Sequence, residues 1–502
     1  MLQEIKINLN QRCGTIKALH GVNNGPVCYG ELIDVSHHYE EAGIPLVRLH
    51  DPNWPYPREV DISAVFPDFS RDPEDPASYD FSRTDTYIRS VLDTGAKIVY
   101  RLGQSIEHTQ IKYYVHPPQD YDKWARICLG IVRHYNEGWA DGFHYNIEYW
   151  EIWNEPDNGD AGVMWSGTAE QYYELYRAAA TAIKARFPEL KIGGFAVSQL
   201  ESEFLPGFLA YCRKHELPLD FFSWHTYTVE VEVLTANAAL MHGRLVEYGY
   251  GDVEVHLNEW NYADLSDWKK KLWSKDSGKA RRDMFEKAKG VEGASFCAAG
   301  LIALQDARVD AANYYDGQPS ALFCGLFDYY GVPQKTFYAF AAFNELVKHP
   351  HRVAVTVGGG IGTFIVGDTA SVKADAHTAG ADAVVNEAGA FTAETGAVAD
   401  EGGAYANGAD AVAAQGVYAC AGTDDSGQLA VLISNPKGEL ASCKVILDGV
   451  AAGSTPPCTL SRVDSDHELQ TSESVAVSFD NNGAGMLDVE IPGYGVVLIR
   501  IG

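Results

Sequence analysis

Two glutamates stand where apolar runs stop: Glu155 in Glu151-Ile-Trp-Asn-Glu-Pro156, and Glu259 in Val255-His-Leu-Asn-Glu-Trp-Asn261. Each run reads as a strand, and Pro156 marks the end of the first because it cannot continue ladder pairing. One carboxylate at a strand end is common. Two, facing each other across one mouth, suit cleavage of a glycosidic bond, where one acid protonates the leaving oxygen and the other carboxylate attacks the anomeric carbon or activates water there.

Other polar residues follow the two-residue period of strands. Arg48 and His50 share one face of an apolar run, with Val47 and Leu49 on the other. His225 and Tyr227 share a face, as do Tyr314 and Asp316. Glu151 has the parity of Trp153 and points inward; a buried carboxylate needs a cation, and Arg48 is the candidate partner in a supporting role. Asn154 sits beside Glu155. Aromatics are dense nearby, including Trp54, Tyr56, Trp153, Trp224, Tyr315 and Tyr329; Trp260 and one or two tyrosines are the expected sugar contacts.

These residues need a frame. Residues 15–345 alternate short apolar runs with longer amphipathic ones. The strands read as Ile16–Gly21, Leu46–His50, Lys97–Leu102, Tyr149–Trp153, Lys191–Ala196, Asp220–His225, Glu254–Glu259 and Ala311–Tyr315. Helical patterns lie between them, among them Asp85–Thr94, Tyr121–Tyr135, Ala169–Arg186, Glu203–His215, Thr235–Tyr248 and Ala280–Leu304. Eight such units predict an α/β fold, a (β/α)8 barrel whose site lies at the C-terminal ends of its strands. An open doubly wound sheet is disfavoured, since no glycine-rich phosphate-binding turn follows a strand. Residues 346–502 predict a β-sandwich, with strand signals at Gln428–Ser434, Cys443–Leu447 and Tyr494–Ile501. The alternation in Glu4–Asn8 lets residues 1–14 add a strand to it. Residues 368–410, rich in Ala, Gly and acid, read as an insertion without a functional role.

The chain has 502 residues, with 39 basic against 68 acidic side chains and a net charge of −29. That length implies two or three domains, and that charge argues against nucleic acid or anionic lipid as partner. No run of about 18 apolar residues predicts a membrane span. The start, Met1-Leu-Gln-Glu-Ile-Lys, does not read as a signal peptide. Nine scattered cysteines without a CxxC pair predict reduced, buried thiols and a cytoplasmic location.

Trp153-Asn154-Glu155-Pro156 together with Asn258-Glu259-Trp260-Asn261 resembles clan A glycoside hydrolases, and more narrowly family 39, the β-xylosidase and α-L-iduronidase family. Arg48-Leu-His50, Phe221-Phe-Ser-Trp-His225-Thr-Tyr227 and Gln334-Lys-Thr-Phe-Tyr338-Ala-Phe add to the resemblance, which runs over residues 15–345. It implies a retaining mechanism with Glu155 as acid/base and Glu259 as nucleophile. It implies that Asn154 bonds the sugar 2-hydroxyl, that His225 and Tyr227 line the catalytic floor, and that the chain forms a homo-oligomer. Where the family often carries Glu-Leu-Gly, this chain has Tyr100-Arg101-Leu102-Gly103-Gln104, so Arg101 is expected to contact a sugar hydroxyl or an anionic group.

The expected activity is exo-cleavage of a small glycoside or oligosaccharide, β-xylosidase-like, with no metal and no cofactor. Arabinosidase, galactosidase, glucosidase and iduronidase-like specificities stay open. A non-catalytic carbohydrate-binding barrel would not need opposed carboxylates. A metal-dependent hydrolase would need clustered His and Asp ligands at several strand ends, where here they are isolated.

Overall fold

The computed structural model describes residues 2–53, 58–107, 109–158, 164–264, 274–320, 324–358, 416–450, 457–480 and 483–502. The 368–410 segment, Trp54 and Tyr56 lie outside these residues.

The chain opens with β1 (Leu2–Thr15) and then enters the barrel at β2 (Gly21–Asn23). A small hairpin, β3 (Val27–Cys28) and β4 (Ile33–Asp34), and helix α1 (Ser36–Ala42) lead to β5 (Leu46–Leu49). Helices α2 (Ile62–Val65) and α3 (Ser82–Asp93) precede β6 (Lys97–Leu102). The alternation continues through α4 (Tyr121–Asn136), β7 (Tyr149–Ile152), α5 (Ala169–Arg186), β8 (Lys191–Val197), α6 (Phe204–Lys214), β9 (Phe221–Thr228), α7 (Val231–Glu247) and β10 (Glu254–Tyr262). It closes with α8 (Gly278–Lys289), α9 (Val291–Ala303), β11 (Ala311–Tyr314) and α10 (Lys335–Val347). The eight staves β2 and β5–β11 pair in one closed, parallel ring.

Local chemistry explains the elements. Thr168 caps α5 by accepting the Gln171 N–H while the Gln171 side chain accepts the Thr168 N–H, a reciprocal cap. The face of α5 carrying Tyr172, Leu175, Tyr176, Ala179 and Ile183 is buried, the stripe expected of a helix on a barrel.

Two expectations change. The first stave is Gly21–Asn23, not Ile16–Gly21. Gly21 is pressed between its neighbours, so that a Cβ there would lie 2.7 Å from the Ala312 carbonyl and 2.9 Å from that of Leu46. The helical pattern over Ala280–Leu304 is two helices, α8 and α9, divided at Gly290, whose backbone is extended (φ −84, ψ −159).

The remaining strands are β12 (His351–Gly358), β13 (Tyr418–Thr423), β14 (Leu429–Ser434), β15 (Ala441–Asp448), β16 (Cys458–Val463), β17 (Glu468–Val475), β18 (Ser478–Phe479), β19 (Gly485–Ile491) and β20 (Val496–Ile501). With β1 they form one ten-stranded sheet. In it β1 runs antiparallel to β12 and parallel to β15. The sheet curls on itself, so that Ile5, Ile7, Val431, Val445, Leu460, Val489 and Ile499 share one core. Alternate residues of β14 divide between two cores: Leu429, Val431 and Ile433 face the interior of the curl, while Ala430 and Leu432 pack with the barrel helices. A strand buried on both faces explains the unbroken apolar run. Among the described residues no helix is long and apolar enough to cross a membrane.

Candidate active site

β7 ends in a bend that delivers Glu155. Trp153 (φ 71) and Glu155 (φ 44) both occupy the left-handed region, a conformation that costs an L residue of order 1–3 kcal/mol and concentrates at functional sites. The bend sends the Trp153 indole outward, where its Nε1 donates to the Met164 carbonyl (3.0 Å), and leaves Glu155 at the C-terminal mouth of the barrel. Glu259 arrives from β10. Its register against β9 shifts between Leu257 and Glu259, turning that carboxylate inward.

The two carboxylates meet at His225, on β9. Its Nδ1 lies 2.7 Å from a Glu155 oxygen and 3.5 Å from a Glu259 oxygen. Oxygens of the two glutamates lie within 4.8 Å of one another. Tyr227, two residues along the same strand, donates its hydroxyl to the other Glu259 oxygen.

Beneath them Arg48 holds the floor. Its side chain is fully buried and donates through Nε to Glu151 (2.7 Å), through Nη1 to Asn23 (3.1 Å) and Glu259 (3.2 Å), and through Nη2 to Asn154 (2.6 Å). Glu151 in turn accepts from Ser223 (2.6 Å) and from Asn258. A buried guanidinium shared between two carboxylates and two amides is geometrically fixed and electrically compensated.

The electrostatics separate the pair. Burial pushes the Glu155 carboxyl up to about 7, against a hydrogen bond from Asn158 (2.8 Å) and the charge of Arg48, which pull the other way. The cause is the loss of water, not repulsion by Glu259. Burial also raises Glu259, but His225, Arg48 and the Tyr227 hydroxyl oppose it, while Glu155 adds to the rise. His225 is lowered to about 4 by burial and stays neutral. The arrangement sets an acid whose proton is held by burial beside a second carboxyl that a cation and a phenol draw toward its ionised form.

Several buried polar groups make no hydrogen bond among the described residues: Asn154 Nδ2, His225 Nε2 and His50 Nδ1, while His50 Nε2 lies 3.5 Å from Asp51. Orphaned donors around two carboxylates are what a hydroxyl-rich substrate would satisfy. Glu155, His225 and Glu259 also form a set that could hold a metal. The fit is poor, because the Arg48 guanidinium already occupies Glu259 at 3.2 Å, and because a divalent ion would require Glu155 to ionise.

Three expected contacts move. Trp260 is fully buried with its ring against Phe296 and Tyr314, in the layer between stave and helices. Alternation leaves no other option once Glu259 points inward. Tyr314 shares that outer layer, packing on Phe340 and donating to Asn261 (3.1 Å); the next residue, Tyr315, faces the mouth, its hydroxyl 3.5 Å from Asp51. Arg101 is fully buried and gives Nη2 to Asp61 (2.8 Å) and Ser105 (3.1 Å), which ties the end of β6 to the segment before α2, while its Nε and Nη1 make no hydrogen bond among the described residues. Asp316 is buried, accepts from Gln318 (2.8 Å), and is pushed up to about 7 by burial.

Asn23, Ser223, Asn258 and Asp51 belong to the network and were not singled out. Asn258 carried a signal, being the residue before Glu259. Asn23 carried none, since a three-residue strand has too little pattern to show a parity.

Known proteins resemble this chain in sequence and fold. The sequence profile for glycosyl hydrolases family 39 matches residues 20–249. A β-xylosidase of Caldicellulosiruptor saccharolyticus is 25% identical over 342 residues, 61% of this chain and 63% of that protein. One of Geobacillus stearothermophilus is 32% identical over 151 residues, 29% of this chain and 26% of that protein. The match thus spans less than two thirds of either relative. Among solved structures, a glucosidase from Croceicoccus marinus superposes with a TM-score of 0.73 at 24% identity, covering 100% of this chain and 99% of that one. A family 39 β-xylosidase from Caulobacter crescentus gives 0.63 at 15% identity, covering 99% of each chain. The profile match over residues 20–249 and the shared fold make the chain similar to glycosyl hydrolases family 39.

Proposed function

We propose that the protein is a retaining exo-glycosidase that removes a terminal sugar from a small glycoside or oligosaccharide. The observation that carries this is the pair Glu155 and Glu259, buried at the mouth of one barrel with oxygens within 4.8 Å. That spacing suits direct attack rather than the roughly 6.5–9.5 Å that admits a water.

In the first step the Glu155 carboxylic acid gives its proton to the glycosidic oxygen as the C–O bond breaks. The Glu259 carboxylate attacks the anomeric carbon, forming a glycosyl ester. In the second step the Glu155 carboxylate takes a proton from water, whose oxygen attacks the same carbon and releases Glu259. Glu155 ends protonated and Glu259 ionised, as they began. Arg48 and Tyr227 hold Glu259 in line. Asn154 Nδ2 and His50 Nδ1 make no hydrogen bond among the described residues and can serve sugar hydroxyls.

β-Xylosides are the first substrate class, supported by likeness to two β-xylosidases. The unpaired state of all nine cysteines supports a cytoplasmic setting. A panel of chromogenic pyranosides, furanosides and uronides tests the reading: turnover of one pyranoside, abolished in Glu259→Ala and partly restored by azide, is the expected result. Sugar binding without turnover of any member would replace the enzyme with a binding protein.

A further inference from the structure

A second cleft, of about 210 Å³, lies where the barrel meets the curled sheet, and neither Glu155 nor Glu259 lines it. The barrel side is formed by the start of α7, the end of β10 and the start of α9; the sheet side by Tyr418, the 436–438 turn and Tyr494. Three tyrosines line it. Tyr418 donates its hydroxyl to Glu232 (2.7 Å) and Tyr262 donates to Glu292 (2.9 Å). Their phenolic hydrogens are thus committed, and ring faces and acceptor oxygens remain.

Tyr494 is the third. It holds φ 59, a left-handed conformation unusual for a bulky residue, and its N–H donates to the Lys437 carbonyl (2.8 Å). Gly438 gives its ring room, since a Cβ there would lie 3.3 Å from the ring atoms. Strain at a ring that lines a cleft needs a compensating role.

We propose that this cleft is a second saccharide site, holding one neutral sugar ring against Tyr494 with its hydroxyls bonded to the carboxylates and to Lys437. The lining chemistry selects the ligand. Glu230, Glu232 and Glu292, within a chain of net charge −29, oppose an anion. The single Lys437 offsets part of that charge and offers a donor. A polyhydroxylated ring uses acceptors, a donor and aromatic faces together, and the volume suits one ring. The inference stands apart from the catalytic reading and does not depend on it.

Crystals of the full chain soaked in xylose and in xylobiose locate the sugar, and ligand-observed NMR titrations weigh the site in wild type, Tyr494→Ala and Tyr418→Phe. The expected result is a ring stacked on Tyr494, with affinity at that site lowered about tenfold in Tyr494→Ala and measurably in Tyr418→Phe, which keeps the ring and the fold. Turnover of an aryl glycoside stays unchanged in both. Sugar confined to the Glu155–Glu259 mouth, identical titrations in both variants, or uptake of tetramethylammonium but no sugar would each overturn the proposal. A sugar in the cleft of a chain with no glycosidase activity would uphold it and refute the catalytic reading instead.

Discussion

Arg48 donates to Glu259 across 3.2 Å while its other nitrogens are taken by Glu151, Asn23 and Asn154, so Glu259 is held by a cation that has no freedom to leave. The consequence is electrostatic. Arg48 is one of the groups that pull the Glu259 carboxyl down against burial. Lysine keeps the charge but cannot reproduce the fork. Arg48→Lys is therefore expected to move the acid limb of kcat/KM to higher pH and to lower activity at pH 6 by about tenfold or more. An acid limb in the wild-type position would show that Arg48 does not set the ionisation of Glu259.

Glu155, pushed up to about 7 by burial, should supply the alkaline limb of the profile. In Glu155→Ala that limb should vanish. Substrates with good leaving groups should lose far less activity than those with poor ones, since they need little protonation. Equal losses for both kinds of leaving group would remove Glu155 from the acid role.

The same raised carboxyl is a stability statement. Its folded value of about 7 lies above the ordinary 4.5, so the folded chain binds the proton more tightly. That contribution is complete below about 4.5 and is lost as pH rises through 7. Glu155→Gln cannot titrate, so its melting temperature relative to wild type should rise between pH 5 and pH 8. The corresponding gain is about 2–3 kcal/mol. Thermal unfolding at both pH values checks it; a constant difference would mean Glu155 is not protonated in the folded chain.

Trp260 makes a contrasting case. Its ring is core, between β10 and α9, where a Cβ on Gly300 would lie 3.3 Å from it. Trp260→Phe should lower the melting temperature, with a cost of about 1–3 kcal/mol, while KM stays within about twofold because the ring does not reach the mouth. A KM increase without a stability loss would return Trp260 to the substrate.

Why the sequence misplaced Trp260 but not the frame is a matter of what periodicity encodes. Staves such as β6, Lys97–Leu102, are buried on both faces beyond Lys97, so they are largely apolar apart from Arg101, and such runs are visible. Parity put Arg48 and Glu151 on inward faces, and their side chains lie 2.7 Å apart. Parity also separates Glu259 from Trp260, and an aromatic beside a carboxylate invites the wrong side of that choice. The break at Gly290 was hidden, because the helix-forming stretch of α8 is followed after one residue by that of α9. Arg101 looked like a substrate cation because its partner, Asp61, lies 40 residues away and shares no motif with it.

On the proposed mechanism, the spacing of the carboxylates predicts the stereochemistry. An inverting enzyme leaves room for water between its base and the anomeric carbon, and its carboxyl groups stand roughly 6.5–9.5 Å apart; a retaining enzyme brings them to about 5–5.5 Å. Here oxygens of Glu155 and Glu259 lie within 4.8 Å, with His225 against both. The side chains are pinned from opposite sides, Glu259 by Arg48 and Tyr227 and Glu155 by Asn158, so widening the gap would break several buried hydrogen bonds at once. Direct attack by Glu259 is the step this gap admits, and two successive displacements return the anomeric centre to its starting configuration. Proton NMR of the reaction, read before mutarotation, should therefore show the substrate's own anomer first. Initial release of the opposite anomer would make Glu259 a general base, and would require the two carboxylates to part by about 2 Å or more when substrate binds.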